Sequence, residues 1–119
     1  MIINADDFGY SESVNSAICK CFEEGTINRT TILVNMPSSE DALSLAREKG
    51  FFESVGLHIN LTEGKALSEE CRKSPLCDEN GFFKGEFHVP FKARLFLPKA
   101  IRKAIYAEVE AQIKKFIEM

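Results

Sequence analysis

The chain has 119 residues, of which 45% are hydrophobic and 28% are charged, and its formal net charge is -3. This length fits one domain with its own core, and the composition is that of an ordinary globular protein. The acidic balance and the lack of a lysine or arginine cluster exclude a nucleic-acid surface. No apolar run approaches the roughly 18 residues that cross a bilayer, and no signal peptide is recognisable, so we expect a cytoplasmic protein.

The first element is a short strand that ends in two acids. Met1-Ile-Ile3 precedes Asn4-Ala-Asp-Asp-Phe-Gly9, which predicts a buried strand followed by a turn. In parallel α/β folds, groups at the carboxyl end of a strand face the ligand site. Because side chains alternate along a strand, Asp6 and Asp7 should point in different directions, one toward a cation and the other serving as proton acceptor. A surface turn or helix cap is the alternative, because Asp favours both.

The next elements alternate between helix and strand. Ser11 is a plausible N-cap for a first helix that closes at Gly25, and residues 30–35 are rich in β-branched side chains. Ser38 or Ser39 then caps a second helix that ends at Lys49-Gly50. The order strand, helix, strand, helix predicts parallel strands joined by right-handed crossovers.

A third strand is predicted over residues 54–61, where Val55 and Leu57 alternate with Gly56, His58 and Asn60. His58 near the carboxyl end of this strand should approach the acids that follow the first strand. A lone strand histidine is more often a hydrogen-bonded core residue. Here a polar neighbour on the same face favours a site, and an Asp–His set with an open position suits a hydrolytic divalent cation.

The remaining residues predict a loop and a long helix. Asn80-Gly81 before Phe82-Phe83 indicates a hairpin-like insertion, and aromatic residues here either pack the loop down or line a sugar groove: Phe82, Phe83, Phe87 and Phe91. His88 is expected to be structural or on the surface, with a substitute-ligand role as the alternative. Pro98 should begin the last helix, whose apolar stripe consists of Ile101, Ile105, Val109, Ile113, Phe116 and Ile117.

The four cysteines are expected to be reduced thiols, because the protein is expected to be cytoplasmic. A zinc site built from all four is the alternative, but it would lack the usual C-x2-C spacing. Three parallel strands with three helices would also leave a sheet edge without a partner. We therefore predict a homo-oligomer or association of the chain with another fragment.

Three segments resemble a known family when taken together. They are Asn4-Ala-Asp-Asp-Phe-Gly-Tyr-Ser11, Thr31-Ile-Leu-Val-Asn-Met-Pro37 and Val55-Gly-Leu-His-Ile-Asn-Leu-Thr-Glu-Gly64. They resemble the YdjC-like family of carbohydrate deacetylases, which includes enzymes acting on chito-oligosaccharides. The resemblance covers essentially the whole chain. It implies an α/β fold, an incomplete (β/α) barrel, with residues 1–119 as a single domain forming the amino-terminal half of a larger barrel.

The resemblance also implies roles for individual residues. Asp7 and His58 become ligands of a divalent metal ion, Mg or Zn, and Asp6 becomes the general base that activates a water molecule. Asn60 and Phe8, which lie in the same motifs, are expected to contact the substrate, an N-acetylated sugar or oligosaccharide. This chemistry is reasonable, because a cation lowers the pKa of its bound water and a nearby carboxylate can accept the proton.

The chain departs from the family pattern in one respect. Family members are longer, and a later histidine-rich motif supplies a third ligand and a general acid that nothing in these 119 residues matches. The chain alone is therefore expected to be weakly active or inactive. Two alternatives remain: another barrel hydrolase or lyase acting on a small amide or carbohydrate, and a non-catalytic fragment that binds sugar or associates with itself.

Overall fold

The computed structural model describes residues 1–85 and 97–119, which form two compact units. The first unit, residues 1–58 with 116–119, contains β1 (Asn4–Phe8), α1 (Glu12–Glu23), β2 (Arg29–Ile32), α2 (Ser39–Glu48), a 3-10 turn (Phe52–Ser54) and β3 (Val55–Leu57). The second unit, residues 59–115, contains α3 (Glu69–Arg72) and most of α4 (Lys99–Glu118). The prediction of one domain over residues 1–119 stays a prediction, as does the predicted association.

The sheet of the first unit has the order β1-β2-β3, and both neighbouring pairs are parallel. The predicted parallel arrangement of the strands is confirmed. The core of this unit is mostly apolar, and its buried residues include Ile18, Ile32, Val34 and Leu43. Three aromatic rings pack in a row in this core. The ring centroids of Phe8 and Phe51 are 5.9 Å apart, and Phe51 stacks on Phe22 with a centroid distance of 4.0 Å.

Three of the four predicted helix ends in this unit are confirmed. The predicted serine cap of α2 is wrong, because Ser38 stands at its N-cap position without a capping side-chain hydrogen bond and the Ser39 hydroxyl bonds to Leu33 O and Met36 O instead. Ser11 caps α1, since its hydroxyl accepts a hydrogen bond from Val14 N. Gly25 and Gly50, just beyond the ends of α1 and α2, have φ values of 69° and 76°. Glycine is favoured at the end of a helix because the residue there adopts this left-handed conformation.

The predicted buried start of the first strand is wrong. The strand begins at Asn4, and the side chains of Ile2 and Ile3 are 76% and 43% exposed. Ile3 is held by its backbone instead: its carbonyl accepts hydrogen bonds from the N–H groups of Asn28 and Arg29. Among the described strands β1 has only β2 as a neighbour, so little of the sheet is available to cover its first residues.

The third strand is shorter than predicted. Its last backbone hydrogen bond to the sheet is that of His58 N to Ile32 O, and Ile59 is 39% exposed. The backbone of Asn60 pairs with the Gln112 side chain, whose Oε1 accepts from Asn60 N while its Nε2 donates to Asn60 O. The Gln112 side chain therefore satisfies both backbone groups of Asn60.

The apolar stripe predicted for the last helix is also wrong. The buried positions of α4 are Ala104, Glu108 and Gln112, whereas Ile113 and Ile117 are 43% and 76% exposed. Glu108 and Gln112 are buried because backbone groups of residues 60, 67 and 68 bond to them. Satisfying those groups decides which face of α4 is buried.

The hairpin-like insertion is present in the second unit. Cys77 and Phe83 form an antiparallel bridge around a turn in which Gly81 N donates to Asp78 O. Phe83 packs in a core cluster with Ala66, Cys71 and Cys77, and all four cysteines are free thiols. Phe87, His88 and Phe91 lie outside the described residues. No helix within residues 1–85 and 97–119 is both long and apolar enough to cross a membrane.

Candidate metal centre

A bulge in β1 brings both acids of the first motif to one position of the sheet. Ala5 pairs with Thr30 and Phe8 pairs with Ile32, so Asp6 and Asp7 together lie opposite Thr31. A β-bulge places two residues of one strand against one residue of its partner. The extra residue is accommodated at Asp7, whose φ of 68° is the one positive value at a non-glycine residue of the described chain. Aspartate tolerates this left-handed conformation better than most residues.

The Asp6 carboxylate is held by two side chains. Its Oδ1 accepts a hydrogen bond from Thr31 Oγ1 at 2.7 Å and another from Asn4 Nδ2 at 2.8 Å. Both donors lie on the strands themselves, so the position of the carboxylate is tied to the sheet. Asp6 remains exposed, and its oxygens are therefore accessible to solutes.

His58 meets Asp7 at the end of the sheet. The distance from His58 Nδ1 to Asp7 Oδ1 is 3.4 Å, and the same nitrogen lies 3.4 Å from Thr31 Oγ1. The His58 and Asp7 side chains are 33% and 56% exposed, so water reaches both. The prediction that Asp6 and Asp7 point in different directions is wrong, since both carboxylates belong to one linked group with Thr31 and His58. The bulge is the physical reason.

The turn after β1 supports this arrangement. Gly9 has a φ of 89°, and a Cβ atom there would lie 3.1 Å from both Leu33 O and Ser39 Cα. Its N–H donates to the buried side chain of Asn15 at 2.7 Å, and Asn15 Nδ2 donates in turn to Ser38 O. A buried amide thus ties the turn that follows the acids to the start of α2.

The two residues predicted to contact substrate lie in the interior. Phe8 is fully buried in the core of the first unit, against Phe51. Asn60 is 4% exposed, and its Oδ1 accepts hydrogen bonds from Thr62 N and Glu63 N. Their substrate-binding role stays a prediction, and burial does not favour it for either side chain.

Asp7 and His58 fit a shared cation. Two ligand atoms of one tetrahedral zinc ion, each about 2.1 Å from the metal, lie about 3.4 Å apart. The observed separation of Asp7 Oδ1 and His58 Nδ1 is 3.4 Å, and carboxylate and imidazole are both common zinc ligands. Within the described ranges, no group of three or more His, Cys, Asp or Glu side chains could hold a metal ion. The described residues thus bring together two side chains of the types that bind metals, without a third.

Sequence reasoning missed two members of this group, Thr31 and Asn4. Both residues lie in the motifs quoted above, but neither was assigned a role there. The signal that identifies Thr31 is its register opposite Asp6 and Asp7, which depends on strand pairing.

Comparison with known proteins identifies the family. The sequence profile described as YdjC-like protein matches residues 1–119. The chain belongs to the YdjC-like family. The resemblance found in its three motifs is thereby confirmed.

Relatives of this YdjC-like chain include proteins named carbohydrate deacetylase. One from Danio rerio is 36% identical over 119 residues, which is 100% of this chain and 37% of the relative. One from Thermoanaerobacter pseudethanolicus is 39% identical over 118 residues, covering 97% of this chain and 43% of the relative. The chain thus spans well under half the length of these curated relatives.

A solved structure is similar over nearly the whole chain. It is the crystal structure of an Enterococcus faecalis protein whose description relates it to cellobiose-phosphate cleavage. The TM-score is 0.78 at 33% sequence identity, and the match covers 98% of this chain and 43% of the other. The similarity supports the partial α/β fold described above.

Proposed function

We propose that this YdjC-like chain carries part of the active site of a carbohydrate deacetylase, a hydrolase that removes N-acetyl groups from amino sugars. The observation that carries the proposal is the 3.4 Å approach of Asp7 Oδ1 and His58 Nδ1 beside Asp6. The names of the relatives from Danio rerio and Thermoanaerobacter pseudethanolicus support the reaction and the class of substrate.

In this proposal Asp7 and His58 hold a divalent cation, zinc or magnesium. A bound cation supplies two things: it lowers the pKa of a coordinated water to near neutrality and stabilises the oxyanion formed from the amide. Asp6 accepts the proton of the attacking water. Both described hydrogen bonds to Asp6 end on Oδ1, so Oδ2 is the oxygen better placed to take up that proton. General-base assistance of this kind contributes about 10²–10⁴-fold in rate.

A third metal ligand and a general acid are also part of the proposal. Catalytic zinc sites normally use three protein ligands, and the described residues offer two in Asp7 and His58. We propose that the others come from a segment that corresponds to the rest of the longer relatives. The 119-residue chain by itself should then bind a cation weakly and hydrolyse slowly or not at all.

Calorimetric titration of the chain with Zn²⁺ and with Mg²⁺ tests the ligand pair. We expect one weak site, which Asp7→Asn and His58→Gln each abolish. Glu48→Gln is the matched control, because it also removes an exposed charge from the first unit but lies outside the group. Equal binding by wild type, Asp7→Asn and His58→Gln would exclude these residues as ligands.

Product analysis tests the reaction in a hybrid. Residues 1–119 replace the matching part of the Thermoanaerobacter pseudethanolicus relative, which supplies the remaining segment. We expect acetate release from N-acetylated chito-oligosaccharide, and its loss on Asp6→Asn. Hydrolysis retained in the Asp6→Asn hybrid would show that Asp6 is not the base.

A second candidate function follows from the Enterococcus faecalis neighbour. Its description concerns cleavage of a phosphorylated disaccharide, a reaction that also takes place at a carbohydrate. The same hybrid separates the two functions. Release of a sugar phosphate from cellobiose phosphate, without acetate from the N-acetylated substrate, would favour this candidate over deacetylation.

A further inference from the structure

Thr31 lies at the centre of the strand-end group, although no motif assigns it a role. Its Oγ1 is 2.7 Å from Asp6 Oδ1 and 3.4 Å from His58 Nδ1. The residue is half-buried on β2, directly opposite the bulge formed by the two acids. One hydroxyl therefore links the side chain proposed as base to a side chain proposed as ligand.

The direction of the first hydrogen bond follows from the chemistry of the groups. A threonine hydroxyl has one proton to donate, and an ionised carboxylate can only accept. Thr31 therefore donates to Asp6, and its oxygen turns lone pairs toward His58. The other neighbour of His58 Nδ1 is Asp7 Oδ1, which is also an acceptor. In the absence of a cation, a proton on Nδ1 is favoured over a lone pair facing two oxygens.

We propose that Thr31 is a positioning residue for this site. Its hydroxyl fixes the Asp6 carboxylate against the sheet and sets the orientation of the His58 ring before a cation binds. Binding of a cation at Nδ1 then requires the proton on that nitrogen to move to Nε2. The role of Thr31 in catalysis rests on the proposed function, whereas its effect on the His58 ring can be measured in the chain alone. Side chains that orient metal ligands typically contribute 10–100-fold to metal affinity.

Thr30 provides the matched control on the same strand. Its hydroxyl donates to the backbone carbonyl of Ala5 at 2.8 Å, and its side chain is 1% exposed. Because successive side chains on a strand point to opposite faces, Thr30 and Thr31 lie on different sides of the sheet. Thr30→Val removes a hydroxyl that supports the backbone, and Thr31→Val removes one that contacts the group.

The first readout is the tautomer of His58, measured by two-bond proton–nitrogen correlation spectra of the ¹⁵N-labelled chain without metal. His58→Gln assigns the signals, since the chain has one other histidine, His88. We expect the Nδ1–H form in wild type, in Thr30→Val and in Thr31→Ser, which keeps the hydroxyl. Thr31→Val should shift the ring toward the Nε2–H form or toward a mixture.

The second readout is the affinity for Zn²⁺ by calorimetry. We expect Thr31→Val to bind at least tenfold more weakly than wild type, with Thr31→Ser restoring most of the affinity and Thr30→Val unchanged. A His58 spectrum in Thr31→Val identical to that of wild type would overturn the inference, as would equal losses in Thr30→Val and Thr31→Val. If wild type binds no zinc, the proposed metal site fails, and the spectra still decide the role of Thr31.

Discussion

The molecule contains two groups of polar side chains that differ in their access to water. At the end of the sheet in the first unit, Asp6 and Asp7 are exposed and His58 is partly exposed. In the second unit, Glu108 and Gln112 of α4 are fully buried. The first group has oxygens and a ring nitrogen within reach of a ligand. The second has its polar atoms committed to the protein.

The hydrogen bonds of Glu108 illustrate the buried case. Its two oxygens accept from Leu67 N, from the N–H and hydroxyl of Ser68, and from Gln112 Nε2, at 2.8–3.0 Å. Ser68 is the N-cap of α3, so this carboxylate also organises the start of that helix. Buried charge is tolerated only when it is hydrogen-bonded in this way. The comparison assigns a structural role to the buried group, whose hydrogen bonds are made within the protein, whereas the exposed group keeps polar atoms within reach of a ligand.

Removing the buried carboxylate should have the largest effect. Glu108→Ala leaves four donors without their acceptor, and each buried unsatisfied group costs roughly 1–3 kcal/mol. We expect the free energy of unfolding, measured with urea, to fall by at least about 3 kcal/mol. Glu110→Ala is the matched control, because that exposed carboxylate pairs with Lys114 at the surface. If Glu108→Ala lowers the free energy of unfolding no more than Glu110→Ala does, the hydrogen bonds of the buried carboxylate do not stabilise the fold.

Raising the pH should have an intermediate effect on the free energy of unfolding, because it favours ionisation of the buried thiols of the second unit. Burial raises the pKa of Cys71 to about 12 and also raises the pKa of Cys77. Because the pKa of Cys71 is higher in the folded chain than in the unfolded chain, the protonated thiol favours the folded state. This contribution to the free energy of unfolding is fully present below the unfolded-state pKa, near 8.5, and is lost as the pH rises toward 12.

Urea unfolding at pH 8 and pH 10 measures this dependence. We expect the free energy of unfolding to fall by about 2 kcal/mol more in wild type than in Cys71→Ala over this interval. Cys21→Ala serves as the control, because that thiol is only half-buried. An identical pH dependence in wild type and Cys71→Ala would contradict the prediction.

The smallest effect on stability is expected at the exposed site. Asp7→Asn should change the free energy of unfolding by less than about 0.5 kcal/mol, because exposed substitutions usually do so and Asn also tolerates a positive φ. Asp7→Val removes the same charge but places a β-branched residue at a φ of 68°, so it should cost about 1–2 kcal/mol. Equal stabilities for the two variants would mean that the bulge does not constrain this position.

Several features of the fold could be predicted from neighbouring residues alone. The parallel strand order follows from the alternation of strand and helix patterns, and the cap at Ser11 and the glycine closing α1 follow from local preferences. The approach of His58 to the two acids could be predicted because they lie near the carboxyl ends of parallel strands, which meet at the same edge. The choice of Asp7 as its partner came from the family resemblance. These features depend on the order of residues over a few positions, which the sequence contains directly.

Other features depend on how distant segments pair, and only the tertiary structure determined them. The bulge opposite Thr31 joins Asp6 and Asp7 into one group, although simple alternation separates them. The polar face of α4 is buried because Glu108 and Gln112 meet backbone groups about 40 to 52 residues away in the chain. Register and the satisfaction of buried groups are properties of contacts between segments, and no local pattern in the sequence encodes them.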